Sequence, residues 1–124
     1  MDAKFIAVTN VISNYFDGLY NSDTSILADV FHPLAQYVCA TDGHILHYNM
    51  KEYFPIVDNR PSPASLNERR NDRILSIEFA GSVTALARVE CSIGEKFFTD
   101  FLSLICVDGK WQIISKVFNY ELCN

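Results

Sequence analysis

The stretch "FTDFLSLICVDGKWQIISKVF" (Phe98–Phe118) decides the fold. Two β-rich runs flank Asp108-Gly109. Asp-Gly is a preferred two-residue hairpin connection, because both central residues take positive φ. The first run is strongly apolar except for Asp100. A carboxylate in such a strand has a partner, changes its pKa, or lines a wet cavity.

Reading outward, the last fifty residues are strands separated by turns. They run "DRILSIEF" (72–79), Gly81-Ser82, "VTALARVECSI" (83–93), Gly94-Glu95, "KFFTDFLSLICV" (96–107), Asp108-Gly109 and "KWQIISKVFNYEL" (110–122). The pattern predicts a four-strand antiparallel meander. Residues opposite one another share a face, so the turns assign the faces. Two-residue turns at Gly94-Glu95 and Asp108-Gly109 place Asp100 opposite Val89 and Val117. One face then carries Phe98, Asp100, Leu102, Leu104, Ala85, Ala87, Val89, Trp111, Ile113, Ser115 and Val117. The other carries Phe101, Arg88, Glu90, Ile114 and Lys116. At Gly81-Ser82 a three-residue turn, Ala80 to Ser82, fits the hydrophobic pattern better than a two-residue one. It puts Phe79, Ile77, Leu75 and Arg73 on the apolar face.

Upstream, Phe5, Val8, Ile12, Tyr15, Phe16 and Leu19 follow three–four spacing, which predicts an amphipathic helix over about 3–20 with Asp2 as N-cap. "NSD" (21–23) breaks it. A short helix over about 24–31 follows and stops before Pro33. "QYVCATDGHILHYN" (36–49) reads as a hairpin about Asp42-Gly43, and "MKEYFPIV" (50–57) as a short helix limited or kinked by Pro55. Residues 58–71 form the one long loop, a lid or rim. The order helix, helix, hairpin, helix, meander predicts an α+β fold, a curved antiparallel sheet wrapped on the N-terminal helices.

The chain of 124 residues is expected to be one domain, 1–124, and 49% of it is hydrophobic, enough for a real core. A net charge of -5 without a Lys/Arg cluster argues against nucleic acid. No apolar run approaches a membrane span, and the N-terminus lacks a signal-peptide pattern, so a cytoplasmic location is expected. Cys39, Cys91, Cys106 and Cys123 have no metal-type spacing and read as core thiols, with Cys123 exposed. His44 and His47 fall on opposite sides of a strand and His32 at a helix end, so no metal set is expected. No phosphate-binding or nucleophile motif occurs, and no cofactor is expected.

The stretches 15–35, 71–90 and 98–118, with Asp42-Gly43, resemble the nuclear transport factor 2-like (SnoaL-like) superfamily, and within it the family labelled putative lumazine-binding. The resemblance covers nearly the whole chain. It implies a cone-shaped cystatin-like fold, with a pocket at the wide end and a homodimer through the sheet. The mixed outer face, with Arg88, Phe101, Ile114 and Lys116, fits that interface. Lys116 is read there as a cation near Glu90 or Glu78.

Three functions stay open. One is a small-molecule-binding protein with an apolar pocket. Another is a cofactor-free acid–base enzyme such as an isomerase, dehydratase or hydrolase. The third is a non-catalytic protein-interaction module. For catalysis the candidates are Asp100 as proton carrier and Tyr15, on the buried face of the first helix, as donor to a substrate oxygen. For ligand binding they are Trp111, Tyr20, Tyr37, Arg73 and Ser115. The structural alternatives are a core tyrosine at Tyr15, a core anchor at Trp111, and Asp100 bonded to a tyrosine, Ser115 or Arg73.

Overall fold

The computed structural model describes residues 2–123. Helix α1 (Ala3–Asn21) starts at Asp2, whose side chain accepts the Lys4 N–H, and ends at Ser22 in the left-handed region. It buries Val8, Ile12, Tyr15, Phe16 and Leu19, whereas Phe5 is largely exposed. Asp23 caps α2 (Thr24–Val30), accepting from Ser25 and Ile26. Gly18 lets the two helices meet: a Cβ there would stand 2.6 Å from Leu27 Cδ2.

Phe31 does not end α2. It opens strand β1 (Phe31–Cys39), which runs through Pro33 and pairs with β2 (Leu46–Asn49). The expected two-residue turn at Asp42-Gly43 is replaced by a longer loop, 40–45. Cys39 faces Leu46, and Gly43, at φ 84°, donates its N–H to Ala40. Helix α3 (Met50–Asp58) opens on a reciprocal capping box between Asn49 and Glu52 and continues through Pro55.

The meander forms from β3 (Asp72–Phe79), β4 (Thr84–Ile93), β5 (Lys96–Val107) and β6 (Lys110–Leu122), with two of its turns as expected. The third is longer than the expected Ala80–Ser82 turn, since Phe79 faces Ala85 and the Ala80 N–H donates to the Thr84 carbonyl. Asp108 and Gly109 both adopt positive φ, 51° and 78°, and Val107 faces Lys110. Ile93 faces Lys96 across Gly94-Glu95, and Asp100 faces Val89. The sheet order is β2-β1-β6-β5-β4-β3, antiparallel except that β1 runs parallel to β6. The sheet is therefore mixed, where an antiparallel one was expected.

Two β-bulges correct the face assignment. In β6 the pairing steps from Leu104–Ile113 to Ser103–Ser115, which leaves Ile114 as an extra residue. Beyond it every side chain changes face. Phe118, not Val117, lies opposite Asp100, and Lys116 turns inward, 3% exposed, while Val117 turns out. Lys116 is thus a core residue and not a cation of the outer face, and Ser115 is on the outer side. In β3 the step from Ile74–Val89 to Ser76–Arg88 leaves Leu75 extra. Ile77 and Phe79 pair with Ala87 and Ala85 on the inner face, as the odd-length turn requires, but Ile74 replaces Arg73 there. Arg73 points outward and its Nε donates to Glu90 Oε1 at 2.6 Å.

The core lies between α1, α2, α3 and the concave face of the sheet, with Leu27, Phe31, Val89, Leu102, Leu104 and Ile113 fully buried. Trp111 closes the narrow end against Phe79, ring centroids 5.9 Å apart at 74°. No helix among the described residues is long and apolar enough to cross a membrane.

Candidate functional site

At the other end of the sheet, away from Trp111, the elements diverge and leave a cavity of about 390 Å³. Parallel pairing of Tyr37 with Lys116 and Cys39 with Phe118 sets β1 beside the inner face of β6. Tyr48 of β2 and Tyr53 of α3 complete an aromatic wall. Tyr37 stacks on Tyr53, centroids 4.3 Å apart at 25°, and on Tyr48 at 5.9 Å and 30°. Phe98, Phe118 and Tyr120 continue the lining: Phe98 lies 5.8 Å from both Phe118 and Tyr120, and Phe118 packs on Tyr37 at 4.7 Å, with Leu46, Ile56 and Ile93 also lining the cavity.

The polar lining is sparse and uneven. Asp42 accepts from the Tyr120 hydroxyl at 2.7 Å. Lys96 lies over the Tyr120 ring, its Nζ 4.5 Å from the centroid. His44 and Thr41 stand on the exposed loop at the mouth. Arg60, two residues beyond α3, lines the cavity with its Nε and Nη2 buried and without a hydrogen-bond partner.

Beneath the aromatic wall lies a buried polar cluster. The Tyr15 hydroxyl donates to Asp100 Oδ2 at 2.6 Å, and Lys116 Nζ lies 3.9 Å from the same oxygen. Asp100 Oδ1 has no partner within the chain. The Lys116 ammonium is surrounded by rings, 4.8 Å from the Phe118 centroid, 5.1 Å from Tyr37, 5.3 Å from Tyr15 and 5.8 Å from Phe98. Such contacts stabilise a cation in place of water. Burial, the largest single influence, works against the charged form of Lys116, but Asp100 together with Tyr53, Tyr37 and Cys91 outweighs it and holds the pKa above the ordinary lysine value. Burial, and then the Asp100 charge, raises the Tyr15 hydroxyl well above the usual tyrosine value. Burial also pushes Tyr37 up to about 12, against the opposing pull of Lys116 and Arg60.

Of the residues singled out from sequence, Tyr37 alone lines the cavity. Asp100 and Tyr15 are brought together, but under the wall and fully buried. Tyr20 donates to the Glu68 carbonyl at 2.7 Å and ties the long loop to α1, outside the cavity. Trp111 is at the narrow end, Ser115 on the outer face and Arg73 in its surface ion pair, so none of the three reaches the cavity. The loop is strapped down on both sides: Ala64 N–H donates to the Tyr20 carbonyl, and Glu68 accepts the Gly94 N–H at 2.8 Å. Sequence reasoning missed Arg60, Tyr48, Tyr53, Phe98 and Phe118. Among the described residues no group of three or more His, Cys, Asp or Glu side chains is arranged to hold a metal ion.

Comparison with known proteins gives the same fold. Residues 3–119 match the model of the family described as putative lumazine-binding. Aldolase FrzH of a Cladobotryum species is 24% identical over 119 residues, covering 94% of this chain and 91% of that protein. A nuclear transport factor 2-like protein of unknown function from Shewanella baltica superposes with a TM-score of 0.85 at 27% identity, covering 95% of this chain and 94% of the other. A ketosteroid isomerase-like protein from Erwinia carotovora atroseptica superposes at 0.75 with 8% identity, covering 97% and 98%.

Proposed function

The chain belongs to the putative lumazine-binding family, and we propose that its wide-end cavity binds a small, largely aromatic or apolar organic molecule. The observation that carries this reading is the wall of Tyr37, Tyr48, Tyr53, Phe98 and Phe118 around about 390 Å³ of open space. That is the size and character of small-molecule sites, which are mostly apolar with a few polar groups that fix orientation. A thermal-shift screen with a metabolite library tests it. A ligand present at about 100 times its Kd adds about 2.7 kcal/mol of stability. Stabilising compounds are expected to lose their effect in Ile56→Trp, which fills the cavity from α3. Hits that stabilise Ile56→Trp equally, or no hits at all, overturn the reading.

A second reading is cofactor-free enzymatic chemistry, favoured by the relation to a protein named an aldolase. Lys116 does not suit a Schiff-base route, because a nucleophilic amine must be neutral and Asp100 keeps this ammonium charged. Acid–base chemistry would instead use the Tyr37 hydroxyl at the cavity as the proton donor, with Lys116 over its ring and Asp100 holding Lys116 in place. In such an enzyme Asp100→Asn removes turnover of the screened ligand without removing its binding.

A further inference from the structure

Among the described residues, Arg60 is the arginine with side-chain nitrogens that are both buried and without a hydrogen-bond partner. It follows α3 at the start of the long loop, where the neighbouring asparagine and proline give it no partner. Its Nε and Nη2 are inaccessible to solvent and donate no hydrogen bond to any described residue. Leaving two nitrogens of a partly buried guanidinium unsatisfied is costly. The other arginines with short side-chain contacts, Arg70 and Arg73, each have a carboxylate within 2.8 Å. Arg60 lines the cavity instead.

The two orphaned nitrogens form one edge of the guanidinium. Nε–H and one Nη2–H point the same way, with the spacing that accepts the two oxygens of a carboxylate side by side. The other charged groups of the lining are engaged elsewhere. The one carboxylate among the cavity residues, Asp42, is engaged by Tyr120. Lys96 lies over an aromatic ring at the rim. Lys116, behind Phe98 and Phe118, adds positive potential with its own carboxylate partner. The cavity therefore offers flat aromatic walls for a ring and a single forked cation for an anion.

We propose that the cavity takes an aromatic carboxylate, with its ring against the aromatic lining of Tyr48, Tyr53 and Phe98 and its carboxylate on the Nε–Nη2 edge of Arg60, whose side chain turns toward it. This rests on the reading of the cavity as a small-molecule site and names the class of ligand.

The test is calorimetric titration of the full chain with 2-naphthoate, with 2-naphthamide, and with inorganic phosphate. Naphthoate is expected to bind at least tenfold more tightly than the amide, and phosphate is not expected to displace it. Arg60→Gln should abolish that preference and leave amide binding unchanged. Arg60→Lys should keep only part of it, because a lysine lacks the fork. Equal binding of naphthoate and naphthamide overturns the role of Arg60 while the cavity reading stands. Displacement of naphthoate by phosphate at equal concentration would mean an unselective anion site and overturns the ligand class. Failure of both naphthyl compounds at millimolar concentration overturns the cavity reading and the inference together. Far-ultraviolet circular dichroism of each variant confirms that a loss of binding is not a loss of fold.

Discussion

The Tyr15 hydroxyl donates to Asp100 Oδ2 at 2.6 Å across 85 positions of sequence, joining the first helix to the centre of the sheet with no exposure to water. Lys116 lies beside them at 3.9 Å from the same oxygen. Tyr15→Phe leaves Asp100 with its ion partner but one bond short, and should cost about 1–3 kcal/mol. Asp100→Asn strands a buried ammonium and should cost more, about 3–5 kcal/mol. Adding Lys116→Met to Asp100→Asn should recover a large part of that loss. Urea unfolding of the four proteins measures this. Tyr15→Phe costing more than Asp100→Asn, or no recovery in the double variant, would show that the ion pair is not what Asp100 supports.

Stability should fail on the alkaline side. Tyr37, Cys91, Tyr15 and Lys116 all have folded-state pKa values above their ordinary ones. A group raised on folding contributes fully below its unfolded pKa, and the contribution is lost as pH climbs toward the folded value. Burial lifts Cys91 to about 12, from an unfolded value of about 8.5. Tyr37 goes from about 10 to about 12. The melting temperature should therefore begin to fall near pH 9 and fall more steeply above about pH 10, where the tyrosines and Lys116 join. Cys91→Ala should flatten the first part of the slope and Tyr37→Phe the second. A melting temperature that stays level from pH 8 to pH 11 contradicts the arrangement.

We propose that the outer face of the sheet pairs with a second copy of the chain. Phe101, Val117 and Leu75 are each between 44% and 48% exposed there, and Arg88 lies over the Phe101 ring at 5.3 Å. Large apolar side chains gathered on one sheet face are characteristic of an association surface. Lys116, which the turn-based register put in this interface, is excluded from it by the bulge, and Ile114 is half-buried at the bulge itself. Sedimentation velocity should give a dimer for the unmodified chain and a monomer for Phe101→Glu, with the far-ultraviolet spectrum unchanged. A monomer in both cases sinks the proposal.

How much of this was legible depended on where the chain kept a strict alternation. The hairpins of the meander were readable because Gly94 and Gly109 close tight turns and the strands between them alternate without interruption. The pairing of Asp100 with Val89 follows from that alone. Ile114 and Leu75 broke the reading, since a bulge inserts a residue with no compositional mark in "QIISKVF" or "RILSI". One unmarked residue exchanged Ser115 for Lys116, and another exchanged Arg73 for Ile74. The energetic reason is visible only in three dimensions: turning Lys116 inward gives Asp100 an ion partner and brings Phe118 onto the cavity wall, at the expense of exposing Val117. Arg60 was invisible for a different reason. In "DNRPSP" it is an ordinary loop arginine, and only the convergence of α3 with β1 and β6 makes it a lining residue of the cavity. The first hairpin misled because Asp42-Gly43 carries the composition of a tight turn inside a wider loop.

The parallel ladder between β1 and β6 also sets an order of assembly. The meander β3–β6 is made of sequence neighbours, so its hairpins close short loops. The cavity needs β1 to reach β6, and contacts such as Gln112 to the Phe31 carbonyl lie 81 positions apart. Closing so long a segment adds entropy cost that local contacts do not offset in advance. The aromatic side chains of 37–53 and those of 98–120 are thus expected to meet late in folding. The cavity is then expected to be the last region to acquire its shape.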